Sequence, residues 1–518
     1  MRLQRTKQEK LPSILSAIVL LSVACASSAQ GDDLAKPPSP SAPPSPTSTQ
    51  SLQGSGRSPA QLSAIYPTAS GNNGGKTFSL DYFLQIVDKN YPKLQSADTE
   101  RRIASAKRLE KSGAFDPVLN SLNEYLRVQD TFTPGVAKNA IHNESKIDLL
   151  TRSGIKMFVG MRLNPNDTKT PFVPTGKSGE YYAGMSVPLL RGLKINEKTA
   201  AEQQAKLGEP LASQVFGTAR LEVLLKAAAV YYDWAGAKGR IDVARNLVKI
   251  AEARVEQIKV RVEKGDLPAL DIAESEQEIQ RRQAALVKTE REFQKSSLML
   301  SVFLWDENGF PKAIPSFQEV PALAPEPREL KEAEWMEGRK SALQLRPELK
   351  RISIEREQAK VELRLAQNMI LPAMDAYLLQ GADTGSQGIG PVVRGGMTVS
   401  LPIRQRTARG QTQAAQLKIQ KLNLDERAEK LRIQAEVDDT VSGINTSYER
   451  WQATLLEVRK AKQVEDGERL RFGAGDSTLF LVNQRERSSA EAQMRLVEVH
   501  VDYMQSVAAF RAVTCRLM

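Results

Sequence analysis

Residues 181–189 read Tyr181-Tyr182-Ala183-Gly184-Met185-Ser186-Val187-Pro188-Leu189, and a helical pattern begins at Glu197 and runs to Glu263. In the first stretch Tyr181, Ala183, Met185, Val187 and Leu189 alternate with Tyr182, Gly184 and Ser186. A period of two places the two sets on opposite faces of a β-strand. Then the period changes. From Val223, the residues Ala227, Val230, Trp234, Ala237, Ile241, Ala244, Val248, Ala251, Val255, Ile258 and Val262 are spaced alternately by three and four. That is the seam of a long coiled-coil helix, about 100 Å from Glu197 to Glu263 at ~1.5 Å per residue. Gly208-Glu209-Pro210 lies inside it and is expected to break or kink it, because proline removes a hydrogen bond and clashes with the preceding turn.

The same change of period occurs again further on. Met397, Val399, Leu401 and Ile403 alternate with Thr398, Ser400 and Pro402, and a second seam follows through Val437, Val441, Ile444, Tyr448, Trp451, Leu455 and Val458. Other landmarks recur in the same order. Tyr91-Pro92-Lys93-Leu94 matches Arg346-Pro347-Glu348-Leu349, Pro117 matches Pro372, and Gly265-Asp266 matches Gly475-Asp476. The chain is therefore a duplication, with repeats at 77–304 and 341–514, a linker at 305–340 and a tail at 515–518. After each Gly-Asp turn comes a shorter helix. Ile272, Ile279, Leu286, Phe293 and Leu300 return every seven residues in one, and Met494, Val497, Val501, Met504 and Ala508 line the other. Phe78 to Ser112 and Ser341 to Met369 also read as helical, so each repeat is a long helix running antiparallel to two short ones.

Partner strands are expected after Pro117 and Pro372, where Leu122, Leu126 and Val128, then Met374, Ala376 and Leu378, share a face. One hairpin per repeat makes four strands. Four strands cannot close a barrel, and open edges are not tolerated in lipid, so a membrane wall needs several copies; three would make twelve strands. A small soluble β-domain is the other reading of these segments. Ile155, Met157, Val159, Met161 and Leu163 alternate as well, have no counterpart in the second repeat, and are assigned to an enlarged external loop or hairpin.

Composition narrows the function. The 518 residues are 41% hydrophobic but only 6% aromatic, which suits long helices rather than a compact enzyme core. Two cysteines, Cys25 and Cys515, and two histidines, His142 and His500, exclude a disulfide scaffold or a cysteine-built metal site and leave little for histidine chemistry. No catalytic constellation, cofactor motif or metal spacing is found. The net charge of +11 comes from intermixed basic and acidic residues, a solvated surface rather than a nucleic-acid footprint.

A basic start (Arg2, Arg5, Lys7, Lys10) and an apolar run from Leu11 to Ala24 form a signal peptide over 1–29, cut after Ala29. Alternatively Cys25 is lipidated and retained. Residues 30–76, rich in Pro, Ser and Gly, read as a disordered tether. No later segment approaches the ~20 apolar residues of a spanning helix.

From Phe78 to Thr514 the chain resembles the TolC family of outer-membrane efflux channels. The duplicated order carries the resemblance, with Val187-Pro188-Leu189 and Leu401-Pro402-Ile403 before the long helices. Arg346-Pro347-Glu348-Leu349 and the turn Arg471-Phe472-Gly473-Ala474-Gly475-Asp476, followed by Leu479-Phe480-Leu481-Val482-Asn483, are also similar to the family. The resemblance implies a mainly α fold with a small β portion: a homotrimer with a twelve-stranded outer-membrane barrel continuing into a periplasmic tunnel of helices, belted near 305–340. It implies a passive duct for efflux or type I secretion, docked to a periplasmic adaptor and through it to an inner-membrane pump. The hairpin tips, Gly265, Asp266, Leu267 and Gly475, Asp476, Ser477, are the implied docking ends; glycine allows the reversal and aspartate is placed to cap the next helix. Asp271, Glu274 and Phe472 stand where the family narrows its tunnel, whereas Leu481 and Gln484 replace acidic residues in the second repeat. An exported coiled-coil adaptor or rod without a barrel is the alternative.

Overall fold

The computed structural model describes residues 78–517 apart from 130–134, 136, 165–174 and 386–387; the expected signal peptide, tether and Cys25 lie outside the described residues. Two short helices open the first repeat, α1 (Leu80–Asn90) and α2 (Pro92–Ser112), and two open the second, α5 (Glu332–Leu345) and α6 (Pro347–Asn368). Each pair is broken at the matched landmark. Tyr91 and Arg346 have extended ψ values of 121° and 124°, and the proline that follows takes the first helical position, where its missing N–H costs nothing. The second helical run begins at Glu332, earlier than the expected Ser341.

The long helices are α3 (Glu197–Glu263) and α7 (Arg406–Gly473), and the returning ones are α4 (Leu270–Ser301) and α8 (Leu479–Val513). The expected break at Gly208-Glu209-Pro210 does not occur: α3 runs unbroken through Pro210. Pro210 and Lys206, whose carbonyl loses its usual partner, are both exposed, so water can take the lost bond.

The sheet departs most from expectation. Six strands, not four, form one antiparallel sheet in the order β1 (Val118–Gln129), β2 (Ala137–Leu150), β3 (Lys156–Leu163), β4 (Glu180–Pro188), β5 (Ala373–Gly385) and β6 (Gly388–Ser400). The stretch assigned to an enlarged external loop or hairpin is β3, which forms a hairpin with β2 and is laddered into the sheet on both sides. β1 and β4 are not hairpin partners: β1 pairs with β2, and β4 pairs with β3 and β5. Period alone finds strands but not their neighbours, and β2 (Ala137-Lys138-Asn139-Ala140-Ile141-His142-Asn143-Glu144) is too polar to announce itself.

Register assigns the faces, since directly opposed residues share one. One face carries Met157, Val159 and Met161 on β3, Tyr181, Ala183 and Met185 on β4, Leu378 on β5, and Val393, Met397 and Val399 on β6. The other carries Asp148, Lys146, Glu144 and His142 on β2, Lys156 and Arg162 on β3, Glu180 on β4, Asp375 and Asp383 on β5, and Arg394 on β6.

The helices follow the same order as the strands. Next to the sheet α2 packs on α3, α3 on α6 and α6 on α7; towards the Gly-Asp turns α4 packs on α3, α3 on α8 and α8 on α7. One apolar core, with Phe83, Val87, Leu224, Trp234 and Leu300, gathers α1, α3, α4 and α8; a second holds Ile433, Val437, Ile444, Tyr503 and Met504. α3 and α8 approach so closely at Gly236 that a Cβ there would lie 2.3 Å from Cγ2 of Val501. Gly236→Ala is therefore expected to destabilise by about 1–3 kcal/mol. Val501→Ala should relieve the clash, so the double variant loses less than the sum of the single losses in thermal or urea unfolding followed by circular dichroism.

Candidate functional site at the hairpin tips

The two reversals are built alike. Gly265 and Gly475 have φ of +81° and +80°, a region where L-side chains are strained. The Asp266 N–H donates to the Arg261 carbonyl and the Asp476 N–H to the Arg471 carbonyl, each at 2.9 Å, which satisfies carbonyls at the helix end. Neither aspartate caps the next helix. Thr478 caps α8 by accepting from the Leu481 N–H, and Ala269 precedes α4 without a side-chain cap. The aspartates sit too early in the turn, where they complete the preceding helix; Asp476 instead accepts from Nε of Arg471 at 3.4 Å. Leu267 and Ser477 lie in the same turns, and Ser477 donates its hydroxyl hydrogen to Glu468.

Asp271 and Glu274 are half-buried on the first turns of α4. Burial, then the charges of Asp271 and Glu278, push the Glu274 carboxyl above its ordinary value. With Glu278 they form a run of carboxylates along one side of α4, as the three-residue spacing predicts. Phe472, half-buried at the end of α7, carries the Arg261 guanidinium 5.2 Å from its ring centre, a contact between the two tips.

Behind the tips lies a buried cluster of charge that the pattern of the sequence did not bring forward. Glu486, 1% exposed on α8, receives hydrogen bonds from Arg254 of α3, from Arg282 of α4 at 2.9 Å and from Arg469 of α7 at 2.8 Å. Arg282 also donates to Glu278 at 3.0 Å and to the Leu247 carbonyl at 3.0 Å, and Asn483 accepts from Arg254 at 3.1 Å. One carboxylate thus ties all four helices at this level. Burial alone would raise the Glu486 carboxyl; the guanidiniums of Arg254 and Arg282 outweigh it and hold it below the carboxylate range. A signal did exist. Arg282 stands midway between Ile279 and Leu286, and the buried side of α4 is Ser275, Glu278, Arg282, Thr289, Ser297 and Leu300, while Ile279, Leu286 and Phe293 are only half-buried. Counting apolar residues every seven finds the edge of that face and misses its polar centre.

Residues 339–515 match the family model described as outer membrane efflux protein. That match falls on the second repeat. No curated protein sequence matches the chain. Among solved structures, the Campylobacter jejuni CmeC outer membrane channel is 11% identical over 91% of this chain and 94% of its own, with a TM-score of 0.60. The Vibrio cholerae outer membrane protein VceC is 14% identical over 84% and 95%, with a TM-score of 0.59. The open state of the Neisseria gonorrhoeae MtrE outer membrane channel is 14% identical over 85% and 89%, with a TM-score of 0.60. At these identities the likeness is one of fold, and it extends over both repeats. The mainly α fold with a small β portion and the resemblance to the TolC family both hold.

Glu486→Gln leaves Arg254 and Arg282 buried without their counter-charge, which is expected to cost about 3–5 kcal/mol. Because the folded carboxyl titrates lower than the unfolded one, this stability is fully present above the unfolded value of ~4.3 and is lost as pH falls through the folded value. In urea unfolding the gap between wild type and variant should stay constant from about pH 8 to about pH 5 and close below about pH 4. A gap unchanged at low pH would show that the charge of Glu486 is not what holds the helices.

Proposed function

We propose that three copies of this chain assemble into a passive exit duct of an efflux or type I secretion system. The sheet sits in the outer membrane, the helices extend into the periplasm, and the hairpin tips dock a periplasmic adaptor joined to an inner-membrane pump. The observation that carries this reading is a sheet that is apolar on one face and charged on the other over β3 to β6, open at β1 and β6 among the described residues, above helices open on the same two sides at α2 or α4 and at α7. Such a sheet cannot stand alone in lipid, because each unpaired backbone group there costs several kcal/mol. Copies arranged in a ring satisfy both edges. The match of residues 339–515 to the outer membrane efflux protein model supports the same conclusion.

The duct performs no chemistry. It offers polar or amphipathic cargo a wet path past lipid, and the pump supplies the energy. The alternative, an exported coiled-coil adaptor without a barrel, leaves the apolar face of β3 to β6 without a use. In the duct Gly265, Asp266, Leu267, Gly475, Asp476 and Ser477 form the docking rim, and Asp271, Glu274 and Phe472 narrow the bore near it. The buried Glu486 cluster keeps the four helix ends of each copy together while the bore changes.

Inserting several polar residues after Gly475 is expected to abolish export in cells while native mass measurement in detergent still finds three copies; unimpaired export would remove docking from this tip. Replacing Asp271 and Glu274 together by alanine should raise single-channel conductance or weaken cation preference in planar bilayers. If neither moves, these carboxylates do not line the bore.

A further inference from the structure

We propose that the β2–β3 hairpin, present in the first repeat only, widens the membrane wall, so that three copies close an eighteen-stranded barrel with β1 of each paired antiparallel to β6 of the next. The inference rests on the three-copy duct proposed above. It replaces the twelve strands that four per copy would make.

Three observations place the hairpin in the wall rather than in a loop above it. The first is pairing. β2 is laddered to β1 from Val118↔Asp148 to Gln129↔Ala137 and to β3 from Asn143↔Leu163 to Leu150↔Lys156, so β3 has a partner on both sides. A barrel closed between β3 of one copy and β6 of the next would require stripping β2 from β3. The second is alternation. β3 sends Met157, Val159 and Met161 to the apolar face and Lys156 and Arg162 to the charged face, and Arg162 pairs there with Glu180 at 2.7 Å. That dyad pattern is the signature of a strand with lipid on one side and water on the other. On β1 and β2 the same face is mixed: it keeps Leu119, Ile147, Tyr125 and Ile141, with Ser121 and Ser145 hydrogen-bonded at 3.1 Å and Asn123, Asn143, Arg127 and Asn139 among them.

The third observation is anchorage. The β2–β3 turn, residues 151–155, is fastened to the start of α3, at the junction of sheet and helices. The Thr151 N–H donates to the Ile155 carbonyl at 2.8 Å, and Gly154 takes φ +83°. Arg152 makes a forked contact to Glu202 at 2.6 to 3.1 Å, its carbonyl accepts from the Thr199 hydroxyl at 2.9 Å, and its guanidinium lies 4.9 Å from the Phe115 ring centre. A turn held at that level makes β2 and β3 traverse the wall.

Circumference agrees. Strands ~4.8 Å apart and tilted about 40° each occupy ~6 Å of perimeter. Six strands therefore cover ~38 Å, close to the ~36 Å taken by four helices packed ~9 Å apart. Strand and helix walls then have nearly the same girth, and cargo leaving the helical tunnel meets no narrower barrel. An even number of strands per copy also keeps β6 antiparallel to the next β1. Because the hairpin brings His142, Glu144, Lys146, Asp148, Lys156 and Arg162 to the inner face, the wider lumen remains lined by charge of both signs.

The test joins cysteines across the seam. In a Cys515→Ala background, Leu122→Cys is combined in turn with Arg394→Cys, Gly396→Cys and Thr398→Cys, all on the inner face, and oxidised in outer-membrane preparations. One of the three registers is expected to give a covalent trimer on denaturing gels. Phe158→Cys on β3, with the same three partners, should leave monomers. Cross-linking through β3 alone would overturn the proposal in favour of a twelve-stranded wall, and no cross-link from either strand would overturn it as well. Electron cryomicroscopy of the unaltered assembly needs no variant: eighteen strands in section are expected, and twelve would overturn the inference. Native mass in detergent separates the two readings, because a count other than three copies defeats the duct itself, whereas three copies with twelve strands defeats only the widened wall.

Discussion

The ladder between β4 and β5 holds the two repeats in one frame. Its nine opposed residues run from Glu180↔Asp383 to Pro188↔Asp375, and they are the only strand contact between sequence halves almost two hundred residues apart among the described strands. Because β4 leads into α3 and β5 leaves α6, the same pairing sets α3 beside α6, and the helix order down to the tips follows. Charge reinforces the joint on the charged face of the sheet. Glu180, 1% exposed, pairs with Arg162 on β3 and lies 3.7 Å from Arg394 on β6, across both neighbours of the ladder.

At the opposite end the helices are joined by a different kind of force. Around Trp234 they are packed by apolar surface, with Nε1 of Trp234 donating to the Ser297 hydroxyl at 3.1 Å. Near the tips the apolar seam thins and Glu486 with its arginines takes over. A buried ionic cluster adds little net stability over a well-packed apolar core, but its partners must meet in one geometry. Exposed apolar surface of the same area would invite non-specific association.

Much of this could be read along the chain. The bounds of α3, the duplication, the reversals at Gly265 and Gly475 and the strands β4 to β6 all have local causes: a repeating period and a backbone region open to glycine. The helix breaks before Pro92 and Pro347 also have a local cause, the missing proline N–H, but the segments around them read as single helices. Asp271 and Glu274 were singled out by the family resemblance, and their three-residue spacing does set them close on one side of α4. What escaped notice was decided by contact at a distance. β2 is polar on both faces at His142-Asn143-Glu144-Ser145-Lys146 and becomes a strand because β1 and β3 flank it. Glu486 looks like any surface carboxylate until three arginines from three other helices surround it.

The sequence by itself determined an exported-looking, twice-copied chain of strand pairs and long antiparallel helices, because periodicity and turn chemistry act within a few residues of one another. Only the tertiary structure decided that the sheet has six strands, that β1 and β4 are strangers, that Pro210 is absorbed without a break, and that the buried side of α4 is polar. Each of those outcomes depends on which element lies alongside, and neighbours set by ladders and helix packing across hundreds of residues leave no mark on the local pattern.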